Sequence, residues 1–189
     1  MDEAVKKLTA TVLAGGKSRR FGQDKAFFQY QGKPLVLHAC EIIEPYCDQL
    51  LVSTNKPAAY KSTGLKTISD IYRDCGPLGG IHSALVHARH DLVAFIPCDS
   101  PMLPGELYRY LLQRMEGRDL VLAAQSAGVE STCGIWHKKS LPRLERAIAQ
   151  KKYKILDAIE GMDAGLVRVD TAPFYHPRIF HNINTRHDL

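Results

Sequence analysis

Residues 8–25 read LTATVLAGGKSRRFGQDK. The apolar run LTATVLA (8–14) has the composition of a buried strand. Paired glycines and four cations, Lys17, Arg19, Arg20 and Lys25, follow it within the same short stretch. Gly15 and Gly16 let a ligand approach the backbone closely, because no Cβ stands in the way. Backbone N–H groups and cations at the end of a strand form a concave positive site that suits the many acceptor oxygens of a polyphosphate. A tight strand-to-loop turn with solvated basic residues is the competing reading. Neither common phosphate loop fits. G-x-x-x-x-G-K-[ST] is absent after Gly15, Gly16 or Gly22, and GGKSRRFG does not match G-x-G-x-x-G.

The rest of the chain alternates apolar runs with amphipathic stretches. Strands are expected at 8–14, 49–54, 65–70, 91–99, 119–125, 132–138, 165–171 and 178–185, with a polar loop between the fifth and sixth. Helices are expected at 34–45, 77–89, 104–116, 141–150 and 153–162, two of them opened by proline. This rhythm predicts an α/β fold: a mainly parallel Rossmann-like sheet with helices on both faces, in one domain over 1–189. Such sheets bind ligands outside the carboxyl ends of their strands. The glycine loop, Asp70 and Asp99 all fall at such ends.

Composition sets the outer bounds. The chain has 189 residues, 45% hydrophobic and 24% charged, with a net charge of +5. That is a soluble globular balance with a mild basic excess suited to a small anionic ligand. No apolar run approaches the roughly 20 residues that cross a bilayer, and the N-terminus lacks an export signal, so no membrane role and a cytoplasmic location are expected. Lys151, Lys152 and Lys154 have no interleaved aromatic residues, which argues against nucleic acid. The five cysteines are scattered without a C-x-x-C pair and read as reduced thiols. Cys98, beside Asp99, reads as a small strand residue. His87 and His90 read as an exposed helix end.

The stretch LAGGKSRRFGQDKAFFQYQGKPL resembles the signature of the molybdenum cofactor guanylyltransferases, the MobA family, within the glycosyltransferase-A-like nucleotidyltransferases. Leu13, Ala14, Gly15, Gly16, Ser18, Arg20, Gly22, Asp24, Lys25 and Gly32–Leu35 fall on the family pattern, with Phe21 in place of methionine. The resemblance continues through Asp70, through Gly76-Pro77-Leu78-Gly79-Gly80, through Asp99, and through Asn182 and Asn184 in NINT. Two segments depart. Ser53 stands where relatives carry asparagine, with Thr54 and Asn55 beside it, and Glu130-Ser131-Thr132 replaces an H/Q-P-L segment.

The resemblance implies transfer of GMP from GTP to molybdopterin with loss of pyrophosphate, dependent on Mg²⁺. It implies nucleotide contacts at Leu13, Ala14, Gly15, Gly16, Lys25, Ser53, Asp70, Gly79 and Asp99. It further implies that Arg20, Lys25 and Asp99 carry the catalysis, that Asp99 is the metal ligand, and that Asn182 and Asn184 sit at the acceptor. Possible protein partners are a molybdopterin-insertion enzyme or a recipient molybdoenzyme. Simpler roles compete: a helix cap for Asp99, a turn for Asp70 and for one of the two asparagines, an Asp24 partner for Lys25, and close packing for Gly79 and Gly80. A nucleotidyltransferase using CTP or another phosphorylated acceptor, or a nucleotide-binding module without turnover, are the alternative functions.

Overall fold

A computed structural model of the chain describes residues 7–15 and 24–184. Among these residues a seven-stranded sheet is flanked by helices. Strand β1 (Leu8–Leu13) is fully buried. A short hairpin, β2 (Gln29–Tyr30) and β3 (Lys33–Pro34), leads into α1 (Leu35–Ile43). Then come β4 (Gln49–Ser53), β5 (Thr67–Ile68), α2 (Pro77–His87), β6 (Leu92–Pro97) and α3 (Glu106–Leu112). The chain continues through β7 (Leu120–Gln125), β8 (Gly128–His137), α4 (Leu141–Ala149), α5 (Ile155–Ala158) and β9 (Ala164–Arg168).

The strand order is β5-β4-β1-β6-β8-β7-β9. The first four are mutually parallel, and so is the β7–β9 pair, while β8 runs antiparallel to both its neighbours. The sheet is therefore mostly parallel, as the alternating pattern predicts. Successive strand residues serve opposite faces. Ala94 and Ile96 join α1 and α3 in one apolar cluster, and Val93 and Phe95 join α2, α4 and α5 in the other. Burial on both faces explains why β1 and β6 read as continuous apolar runs.

Several elements differ from the expected bounds. The 178–185 strand does not form over the described residues 178–184; that segment makes turns, with Ile179 N–H on His176 O and His181 N–H on Arg178 O. Its apolar residues act as staples instead: Ile183 is buried with Phe28 and Leu35. Helix α5 is a single turn, and α3 stops at Leu112. Strand β8 begins at Gly128, so most of the expected polar loop is the half-exposed start of a hairpin strand, set off by a bulge at Leu122/Ala123. Among the described residues no helix is long and apolar enough to cross a membrane.

Candidate active site

Parallel strands end on the same edge, and here four of them build one platform. Ala14 N–H donates to Ser53 O (3.0 Å), Thr54 N–H to Ile68 O (2.9 Å) and Cys98 N–H to Leu13 O (3.2 Å). These bonds extend the ladders just past the strands and lock the ends of β1, β4, β5 and β6 together. Above them opens a cleft of about 1080 Å³. Its lining brings together Leu13, Ala14, Gly15, Lys25, Ser53, Asp70, Asp99, Asn182 and Asn184, residues from six separate segments of the sequence. Gly16 and Arg20 lie outside the described residues.

Lys25 opens a short 3₁₀ turn, Lys25–Phe27, capped by Asp24 through Ala26 N–H on its Oδ1 (3.2 Å). The lysine does not pair with Asp24. Its Nζ donates to Asp99 Oδ2 at 2.6 Å and to Asn184 Oδ1 at 2.7 Å. Asp24 faces Lys56 instead, at 3.7 Å. Asp99 follows β6 and caps no helix, since α3 is capped by Gly105. Asp99 O accepts from Ile183 N–H (2.9 Å), and Ser100 Oγ donates to Asn182 Oδ1 (2.6 Å). The NINT segment is thus a brace across the end of β6, with its asparagines on the rim of the cleft.

On the opposite wall, Asp70 and Asn55 are bonded reciprocally. Asn55 Nδ2 donates to Asp70 Oδ2 (2.8 Å), and Asp70 N–H donates to Asn55 Oδ1 (3.1 Å). This fixes the carboxylate at the mouth of the cleft. In the sequence the only signal for Asn55 is its place beside Ser53. Ser53 itself is 2% exposed and ends β4 against α2.

Helix α2 aims its N-terminus at the cleft. Gly76 caps it at φ +60°, ψ −147°, a conformation that essentially requires glycine. Gly79 and Gly80 are close-packing positions. A Cβ on Gly79 would lie 2.6 Å from Tyr72 O and 3.2 Å from Asp70 Oδ2, and one on Gly80 would lie 2.6 Å from Ser53 Oγ. Only Gly80 reaches the cleft lining; Gly79 supports the Asp70 loop from beneath. Ser83 Oγ accepts from Ile71 N–H at 2.7 Å and pins the same loop. Thr132, from the departing Glu130–Thr132 segment, also lines the cleft.

Cys98 is buried, and that burial, ahead of the neighbouring Asp99 charge, pushes its thiol well up. It is the opposite of an activated nucleophile. The described lining carries the carboxylates of Asp24, Asp70, Asp74 and Asp99 against the ammoniums of Lys25 and Lys56. Carboxylates outnumber ammoniums among the described lining residues, while Lys17, Arg19 and Arg20 of the glycine loop lie outside them. Among the described residues no group of three or more His, Cys, Asp or Glu side chains surrounds a metal position. One or two carboxylates completed by phosphate and water oxygens is, however, the donor set that Mg²⁺ commonly uses, and Asp99 fits it.

A ligand cleft at the carboxyl ends of a mostly parallel sheet, with backbone, lysine and carboxylate groups converging on it, defines an α/β nucleotide-binding protein. The chain belongs to the MobA-like NTP transferase family, whose domain model matches residues 10–164, and it is accordingly a nucleotidyltransferase. It is 33% identical over 187 residues to a molybdenum cofactor guanylyltransferase of Aliivibrio fischeri, covering 97% of this chain and 94% of the relative. A molybdenum cofactor guanylyltransferase of Vibrio cholerae is 34% identical, covering 94% and 87%. Among solved structures, molybdopterin-guanine dinucleotide biosynthesis protein A from Archaeoglobus fulgidus superposes with a TM-score of 0.81 at 26% identity, covering 95% of this chain and 94% of that one. The fold alone is shared with a 4-diphosphocytidyl-2C-methyl-D-erythritol synthase from Anaerococcus prevotii (TM-score 0.73, 12% identity, covering 100% and 96%).

Proposed function

We propose that this protein transfers GMP from GTP to the terminal phosphate of molybdopterin, releasing pyrophosphate. The observation that carries the reading is the meeting of Lys25 and Asp99 at the strand ends, in a chain so similar along its length to proteins named molybdenum cofactor guanylyltransferase. An acceptor phosphate oxygen forms a bond to the α-phosphorus of GTP. The α–β bridging bond breaks, and its electron pair leaves with pyrophosphate. Such transfers need alignment and charge neutralisation rather than a covalent enzyme intermediate.

The residues divide the work as follows. The segment Leu13, Ala14, Gly15 and Gly16 lies against the nucleotide, and Lys25 with Arg20 neutralises its phosphates. Asp70, steadied by Asn55 and carried by the packed Gly79, binds the nucleoside end with Ser53. Asp99 would hold Mg²⁺, which when bound would offset negative charge on the phosphates. Asn182 and Asn184 place amide groups on the acceptor rim. The cleft is built by strands of one sheet, which supports reading the chain as one nucleotidyltransferase domain. Five free cysteines accord with a cytoplasmic location, where a molybdopterin-insertion enzyme or a recipient molybdoenzyme would take the product.

The test is Lys25→Ala assayed with GTP, Mg²⁺ and molybdopterin. Turnover falls and KM for GTP rises while the melting temperature holds. An unchanged rate and KM remove Lys25 from the site.

A further inference from the structure

A cation already lies on Asp99: the ammonium of Lys25, 2.6 Å from Oδ2. Both side chains are largely buried, with 16% and 24% of their surfaces exposed. Their attraction is therefore less screened than that of a surface pair. The two partners differ in freedom. Asp99 is held through its own carbonyl by Ile183 N–H, and the next residue is tied to Asn182. Lys25 reaches the carboxylate and Asn184 Oδ1 through four methylenes from a single 3₁₀ turn, so its ammonium can shift to other oxygens in the cleft while the Asp99 backbone stays. Among the described residues Asp99 belongs to no group of three or more His, Cys, Asp or Glu side chains that could hold a metal by themselves.

We infer that Lys25 is a placeholder for the divalent cation: it occupies Asp99 in the empty protein, and the nucleotide creates the metal site by drawing the ammonium onto its phosphates. This rests on the functional reading given above. Two positive charges cannot share one carboxylate oxygen cheaply, so metal and lysine compete for Asp99 until polyphosphate arrives. Once it does, the ammonium gains phosphate oxygens, and Asp99 together with the phosphates offers a fuller oxygen shell. Nucleotide and metal then strengthen each other's binding, and linkage makes that coupling reciprocal. The device keeps a lone metal out of the empty cleft and offsets the carboxylate before substrate enters. Lys25 thus has two tasks in sequence, and the first predicts a definite sign: removing this lysine of the nucleotide site improves cation binding in the absence of nucleotide.

The experiment is a titration of nucleotide-free protein with Mn²⁺, read by the electron paramagnetic resonance of the unbound ion. The proteins are the wild type, Lys25→Met, Lys25→Gln, Lys25→Arg and the double variant Lys25→Met/Asp99→Asn. The wild type and Lys25→Arg bind Mn²⁺ weakly. Lys25→Met and Lys25→Gln bind it at least about fivefold tighter, and Asp99→Asn abolishes that gain. Equal or weaker Mn²⁺ binding by both neutral variants overturns the inference, as does a gain that survives Asp99→Asn. Circular dichroism on each variant checks that the comparison is between folded proteins. No substrate or turnover enters this titration, so the two readings fail separately. A gain without GMP transfer by the wild type counts against the proposed reaction, and transfer without a gain counts against the placeholder.

Discussion

Gly80 and Ser53 are in such close contact that a Cβ on the glycine would sit 2.6 Å from the serine hydroxyl oxygen. Helix α2 can lie this close to the end of β4 only because both residues are small. Alanine at 80 gains helix propensity of about 1 kcal/mol but must displace the hydroxyl. Ser53 Cβ would be 3.5 Å away, an ordinary contact. Gly80→Ala is therefore expected to lower stability by about 1–3 kcal/mol, and Gly80→Ala/Ser53→Ala to recover most of it. At Gly79 the obstacle is the Tyr72 carbonyl, which is backbone. Gly79→Ala should cost more and should not be rescued by a side-chain change. Urea denaturation of these three variants beside the wild type checks both statements.

Asn55 is expected to act through Asp70. Removing its amide in Asn55→Ala frees the carboxylate and leaves Asp70 N–H without its partner, and KM for GTP should rise by about tenfold. Asn55→Asp should be worse than alanine, since it sets a second carboxylate where Nδ2 meets Asp70 Oδ2 at 2.8 Å. Thermal stability separates this positioning role from a scaffold role: KM moves and the melting temperature does not. Equal KM values for Asn55→Ala and the wild type would show that Asp70 needs no such support.

The sheet and the line of its strand ends were legible because parallel, doubly covered strands demand apolar runs, and LTATVLA and LVAFIP supply them. The carboxylates were legible for the same reason: an aspartate closing such a run cannot stay inside the sheet. What could not be read was tertiary partnership. Nothing local in the sequence joins Lys25 to Asn184, 159 positions away. The segment 178–184 misled because Ile179, Phe180 and Ile183 carry strand-like apolarity, yet Ile179 N–H bonds within a turn to His176 O and Ile183 N–H bonds to Asp99 O. The reverse happened at Gly128–Ser131, where polar residues on a half-exposed hairpin read as a loop. Gly79 and Gly80 announced themselves as costly helix residues, but only the neighbouring Tyr72 carbonyl and Ser53 hydroxyl explain them. Gly16 and Arg20 lie outside the described residues, so the phosphate loop itself stands on the sequence.

The cysteines should be quiet. Burial, reinforced by Glu44, pushes the Cys40 thiol up to about 12, and burial puts Cys133 at about 12 and Cys47 at about 11. Few thiolates exist at pH 8, so labelling with a thiol-reactive disulfide should be slow in native buffer and complete for all five cysteines only in denaturant. The linkage has a definite sign. A thiol whose pKa is raised by folding contributes stability below its unfolded pKa of about 9. That stability is lost as pH climbs towards the folded value, so midpoints of urea unfolding should fall between about pH 9 and 11. Fast native labelling of Cys98 at pH 8 would contradict its placement.

Asp99→Asn keeps size and hydrogen-bonding shape and removes the charge. If the carboxylate holds Mg²⁺ during transfer, turnover should drop by about a hundredfold or more, corresponding to about 3 kcal/mol of transition-state stabilisation. Metal-free GTP binding should change little or tighten, because a repelling carboxylate is gone. The melting temperature should hold, since Asp99 caps no helix, faces the cleft, and as asparagine keeps an oxygen that can accept from Lys25 Nζ. Normal turnover would remove Asp99 from the metal's donors, and simple unfolding would mark it as structural.

Base choice decides the account. Purified protein is given molybdopterin, Mg²⁺ and each of GTP, CTP, ATP and UTP, with pyrophosphate release followed and product mass determined. The account predicts a product heavier than molybdopterin by one GMP unit. It also predicts kcat/KM for GTP at least about a hundredfold above that for CTP, because a site that hydrogen-bonds its base leaves buried groups unpaired with the wrong one. Equal use of CTP, a preference for it, or no nucleotide adduct with any of the four would contradict it.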